Sequence, residues 1–122
     1  MPILERIKEA YLLWHCYHSI LPRNHRYSLG VRIDVLHIEI IEATSAAVFL
    51  TKLDKPPYLR LAIRKLDTLK LLLLILFETK SIDAKKYIVL SVQLDEIGRM
   101  LGGWLGQTEK QNSPTEAGEK CR

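Results

Sequence analysis

Thiols are scarce in this chain: its 122 residues include only Cys16, inside an apolar periodic segment, and Cys121, next to the last residue. Two thiols that far apart offer neither a disulfide framework nor the close spacing of a metal centre, and a reducing cytoplasm suits them best. Long apolar runs are missing too. The longest, Leu71 to Phe77, is far below the ~20 residues a membrane span needs. The opening MPILERIKEA places charge where a signal peptide needs an apolar centre. Secretion and membrane insertion are therefore not expected.

Catalytic apparatus is equally hard to find. No glycine-rich phosphate loop follows a strand, and no paired-carboxylate signature stands out. His15 and His18 share a helical face at i, i+3, but no carboxylate or thiolate joins them at coordinating spacing, because Cys16 points elsewhere on the wheel. His25 and His37 lack an identifiable Ser or Cys partner with an orienting acid. The residues point to a binding protein without cofactor or metal, not to an enzyme.

What the chain does have is helical periodicity. With 48% hydrophobic and 26% charged residues it is suited to one globular domain. Four periodic segments follow one another. The first runs from Pro2 to Leu21, with Ile3, Ile7, Ala10 and Trp14 near one face, and Pro22 closes it. The second begins at Ser28, a plausible N-cap, and carries Ile33, Leu36, Ile40, Ala43 and Ala47 as far as Lys52. Asp54 with Pro56 and Pro57 opens the third, which ends near Glu78. A Ser81 cap opens the fourth, which continues through Leu90, Leu94, Ile97, Leu101 and Leu105. Short joints make neighbours antiparallel, so the expected fold is all-α, an up-down-up-down four-helix bundle over residues 1–107. Residues 108–122 have the composition of a disordered tail.

Two further features bear on partners. The second helix has a surplus apolar stripe of Ile38, Ile41, Val48 and Phe49, and the third is apolar around most of its circumference from Leu69 to Phe77. Surplus of that kind points to a homo-oligomer, the alternative being two helices buried more centrally. The formal charge of +4 is also unevenly spread. Lys52, Lys55, Arg60, Arg64, Lys65 and Lys70 meet only Asp54 and Asp67 within their own segment, and Arg23, Arg26 and Arg32 have no acid among them. Such clusters suit a polyanion, and they equally suit a solvated face.

Near the C-terminal end, Gly98, Gly102 and Gly103 lie within a helical pattern that ends in Trp104. Each costs about 1 kcal/mol relative to alanine there. Close helix packing at Gly98 and Gly102, with a Glu96–Arg99 pair and a Trp104 anchor, is the favoured explanation, and phosphate binding the weaker one.

Two stretches then stand out together. They are Leu21-Pro22-Arg23-Asn24-His25-Arg26-Tyr27-Ser28-Leu29-Gly30-Val31-Arg32-Ile33, and Lys86-Tyr87 followed by Leu94-Asp95-Glu96-Ile97-Gly98-Arg99-Met100-Leu101-Gly102-Gly103-Trp104. The pair resembles the signatures of the four-helix-bundle family that contains the accessory variability determinant of diversity-generating retroelements and the ribosomal RNA intervening-sequence proteins. The segment from Gly98 to Trp104 points to the accessory branch. The resemblance implies a homopentameric barrel with a basic surface that binds the element's reverse transcriptase and its RNA or DNA, doing no chemistry itself. It also implies a nucleic-acid and partner role for Lys70, with Leu74 where members often carry another basic residue. Arg23, Arg26 and Arg32 match the family's basic joint, although Arg32 could instead pair with Asp34 or Glu39. Arg60, Arg64 and Lys65 rest on charge alone. The rival expectation is a structural or protein-interaction bundle with no retroelement role.

Overall fold

A computed structural model describes residues 2–112. Its helices are α1 (Pro2–Ser19), the single-turn α2 (Arg23–Arg26), α3 (Leu29–Phe49), α4 (Lys55–Glu78) and α5 (Ala84–Asn112). The four long helices are those the periodicity predicts, and α2 is an addition within the first joint. Among the described residues there is no strand, and no helix is long and apolar enough to cross a membrane.

Cross-helix contacts give the order and direction of packing. Tyr11 and Trp14 of α1 meet His37 of α3 through their rings. Lys65 of α4 pairs with Glu39 of α3, and Lys55 reaches the Ala47 carbonyl. Phe77 stacks on Tyr87, while Lys70 pairs with Asp95 and Arg60 with Glu109, which sets α5 antiparallel to α4. Arg6 pairs with Glu96, closing the ring from α5 back to α1. Every adjacent pair is antiparallel, as short joints require. The core lies along the common axis, where Trp14, Ile33, Leu36, Leu59, Leu66, Leu69, Leu73, Leu76, Leu90 and Leu101 are all essentially inaccessible to water.

The ends of the helices differ in detail from the sequence reading. α1 stops at Ser19, whose hydroxyl donates to the Cys16 carbonyl, while Leu21 continues into the core. Ser28 does not cap α3: its hydroxyl donates to the Asn24 carbonyl. Asp54 makes no cap and instead accepts from the Thr51 hydroxyl. The cap of α5 is Asp83, not Ser81, since the Asp83 carboxylate accepts the Lys86 backbone N–H at 2.8 Å. That bond and the Lys86 ammonium lower the Asp83 pKa. The expected boundary at residue 107 is also too early. α5 continues to Asn112 with Thr108 only 2% exposed, because Thr108 falls on the same face as Leu94 and Leu101. The rest of the expected tail, residues 113–122, lies outside the described residues.

α4 ends in a Schellman arrangement, with Ser81 N–H donating to the Leu76 carbonyl and Lys80 N–H to that of Phe77. Lys80 sits at φ 65°, the left-handed conformation where glycine is usual. A lysine there costs roughly 1–2 kcal/mol, yet it leaves a cation at this end of the bundle.

The surplus apolar surface is real. Ile38 is 40% and Phe49 83% exposed, and Leu71 and Ile75 of α4 and Ile88 and Val92 of α5 are exposed as well. Ile41, packed against the core, and Val48 are the exceptions within the stripe, each being half-buried.

Candidate nucleic-acid interface

The cations of α4 that cluster in the sequence are largely neutralised in space by acids of other helices. Arg60 donates to Glu109 at 2.9 Å, Lys65 lies 3.1 Å from Glu39, and Lys70 lies 3.1 Å from Asp95. Lys55 is turned onto the Ala47 and Val48 carbonyls at the end of α3 and over the Trp104 ring, 5.6 Å from its centroid. Trp104 therefore anchors an intrachain contact. Arg64 is exposed and forms no ion pair among the described residues. It shares a shallow groove of about 230 Å³ between α3 and α4 with Arg32, Lys65 and Thr68.

The first joint is built differently. Arg26 spends its guanidinium on folding, donating through Nη2 at 2.9 Å and Nε at 3.2 Å to the Leu21 carbonyl. The His18 Nε2–H donates to the Arg26 carbonyl at 2.9 Å, and the His18 ring stacks on Trp14. Gly30 is buried against that ring: a Cβ there would come within 2.8 Å of His18 Cδ2. His18 is thus a structural residue of the joint, and Gly30 is required because the ring occupies its side-chain space. Arg23 and Arg32 remain exposed and make no ion pair among the described residues; Arg32 is bonded to neither Asp34 nor Glu39.

The bundle then adds what sequence order conceals. The His25 Nδ1 and Ser81 Oγ are hydrogen-bonded, so the α1–α3 and α4–α5 joints meet at one end of the molecule. Arg23, Arg26, Arg32, Lys80, Lys85 and Lys86 all lie in these joints or within two turns of them, as do Asp34, Glu78 and Asp83. Of the acids, Asp83 is engaged by Lys86. Asp34 lies beside the Tyr11 hydroxyl, whose pKa is raised chiefly by burial and further by this carboxylate. Arg23, Arg32, Lys80 and Lys85 are exposed, with no ion pair among the described residues. Nothing in the local sequence singles out Lys80 and Lys85; only the antiparallel order of the helices brings them to the joint.

The glycines divide. Gly98 lies at the α4–α5 contact, where a Cβ would meet Lys70 Nζ at 3.3 Å and Leu66 Cδ2 at 3.4 Å. Gly102 and Gly103 have nothing within 4 Å among the described residues, so packing between the described helices does not explain them. Glu96 pairs with Arg6, not with Arg99. Arg99 instead borders a cleft of about 590 Å³ with Pro2, Met100, Gly103 and Trp104.

Beneath the joint, His37 is buried and donates its Nδ1–H to the Ile33 carbonyl at 3.1 Å. Desolvation lowers its pKa to about 4, opposed by that carbonyl and by Asp34. Its Nε2, Trp14 Nε1 and Thr44 Oγ1 are buried with no hydrogen-bond partner among the described residues.

Compared with known families and curated proteins, the chain matches no family model and no curated protein.

Proposed function

We propose that this chain is a non-enzymatic accessory subunit of a diversity-generating retroelement, binding nucleic acid and the element's reverse transcriptase through the basic end of its bundle. The observation that carries the reading is the gathering of Arg23, Arg32, Lys80 and Lys85 at one end, exposed and outside any ion pair among the described residues. Phosphate contacts release condensed counterions, and cations without a carboxylate partner give the largest return from that release. Long side chains of this type offer point charges and forks without an organised base-reading element, so little sequence preference is expected.

Assembly is part of the proposal. Ile38, Leu71, Ile75, Ile88 and Val92 are exposed along the helix sides, with Phe49 exposed at the end of α3, and suit contacts between copies. A homopentamer is the state the family resemblance implies, and Gly102 and Gly103 would let a neighbouring copy approach α5 closely.

A second reading, a protein-interaction bundle without nucleic acid, is favoured by the α4 pairs, which behave as a solvated, internally balanced face. Titration of the wild-type protein with structured RNA and with duplex DNA separates the two. We expect binding to both, weakening linearly in log affinity with log salt, together with co-purification of the reverse transcriptase. No binding at low salt would leave the second reading in place.

A further inference from the structure

Tyr27 is the unusual side chain of the joint. It ends α2, it stands 71% exposed, and the Arg26 guanidinium lies over the ring at 6.0 Å from the centroid. Because Arg26 is pinned to the Leu21 carbonyl by two hydrogen bonds, the cation is held in place while most of the ring remains in solvent. A single exposed aromatic is ordinary on a protein surface. The setting of this one is not. Tyr27 borders a cleft of about 220 Å³ lined also by His15, His18, Ser19, Arg26 and Val31. The segment that builds the cleft contains no acid between Glu9 and Asp34.

Size and charge narrow the occupant. A cavity of about 150 Å³ holds a benzene ring, so the cleft has room for one nucleobase and none for a helix or a duplex. Ring and aliphatic walls from Tyr27, His18 and Val31 make the cleft almost wholly apolar, which suits the face of a planar aromatic group. Arg23, one turn from Arg26 on α2, supplies an exposed cation that forms no ion pair among the described residues, whereas Arg32 lies in the α3–α4 groove.

We propose that this cleft is a single-strand subsite, in which one unstacked nucleobase lies on the Tyr27 ring while the flanking phosphate runs toward Arg23. The inference rests on the nucleic-acid reading above and specifies the form of strand recognised. Stacking on an aromatic ring tolerates any sequence, because every base has a π face. Paired bases keep their faces inside the helical stack, so loops and single-stranded segments reach Tyr27 and duplexes do not.

The test is fluorescence anisotropy at one salt concentration, using a short unstructured labelled RNA and the same RNA annealed to its complement. Wild type, Tyr27→Ala and Tyr27→Phe are compared, with thermal melting as a fold control. We expect Tyr27→Ala to weaken single-strand binding by about 5- to 150-fold, the range for removal of one stacked base. Duplex binding should be unchanged, and Tyr27→Phe should match wild type. Equal losses on both RNA forms would place Tyr27 on the backbone and overturn the subsite. An unaltered single-strand affinity, as expected if the cleft takes an apolar peptide, would overturn it too. Wild-type protein that binds neither form would instead remove the nucleic-acid reading on which the subsite depends.

Discussion

Two regions of this molecule hold clustered cations, and their neighbours treat them differently. Along α4, Arg60, Lys65 and Lys70 each meet a carboxylate supplied by another helix. At the joint end, Arg23, Arg32, Lys80 and Lys85 meet none among the described residues. The α4 pairs are at least partly exposed, so each contributes only about 0–1 kcal/mol to stability. They still matter for binding, because a phosphate that displaces the carboxylate gains little net charge neutralisation. Counting charges within a stretch of sequence therefore misses which cations stand outside ion pairs.

Acid should separate the regions most strongly. His37, packed beneath the joint, is neutral when buried, with a pKa of about 4 against an ordinary 6.5. A depressed histidine pKa means the unfolded chain takes up the proton first. The stability His37 contributes is thus complete above pH 6.5 and falls progressively toward pH 4. Between pH 7 and pH 4.5 we expect a loss of roughly 2–3 kcal/mol from this residue, measured by denaturant melts. The His37→Phe variant should lose correspondingly less over the same interval; an identical loss would show that His37 takes up its proton without strain in the fold.

Within the joint itself, Arg26 and Arg23 should diverge. Removing the Arg26 fork leaves the Leu21 carbonyl short of its donors, and Arg26→Ala should cost about 1–3 kcal/mol in thermal or denaturant unfolding. Arg23→Ala, on the exposed surface, should stay within about 0.5 kcal/mol. Similar values for the two would erase the distinction drawn here between a folding cation and a binding cation.

The smallest effect concerns α5. Gly102 has open space where a Cβ would stand, so Gly102→Ala should stabilise the folded subunit by up to about 1 kcal/mol through helix propensity alone. Light scattering belongs beside that melt. Dissociation of an oligomer in Gly102→Ala would place the glycine at a contact between copies, and stable monomers of the wild type would remove the assembly proposal altogether.

Much of the fold is legible in the sequence because the core obeys one period: Ile33, Leu36, Ile40, Ala43 and Ala47 recur at helical spacing and are all buried. Caps are less legible. Ser28, Asp54 and Ser81 are all good capping types, but only geometry decides which oxygen faces an N–H, and at α5 Asp83 takes the place of Ser81. The end of α5 escapes a sequence reading because polar composition after Leu105 hides a face that Thr108 continues. Of the candidate interface, Arg23 and Arg32 are visible from local charge. Arg26 is not what its charge suggests, since nothing in its neighbours announces the Leu21 carbonyl. Lys80 and Lys85 come from a joint more than fifty residues away in the chain, brought close through the His25–Ser81 hydrogen bond.

Salt-titrated binding of structured RNA to two matched triple variants tests the central claim most directly. One variant combines Arg23→Ala, Arg32→Ala and Lys85→Ala; the other combines Arg60→Ala, Lys65→Ala and Lys70→Ala. Melting and light scattering confirm that both remain folded and assembled. We expect the joint triple to flatten the slope of log affinity against log salt by about 0.7–0.9 for each phosphate no longer neutralised, and the α4 triple to stay near wild type. A slope flattened only by the α4 triple, or equally by both, would contradict the assignment of the nucleic-acid surface to the joint end.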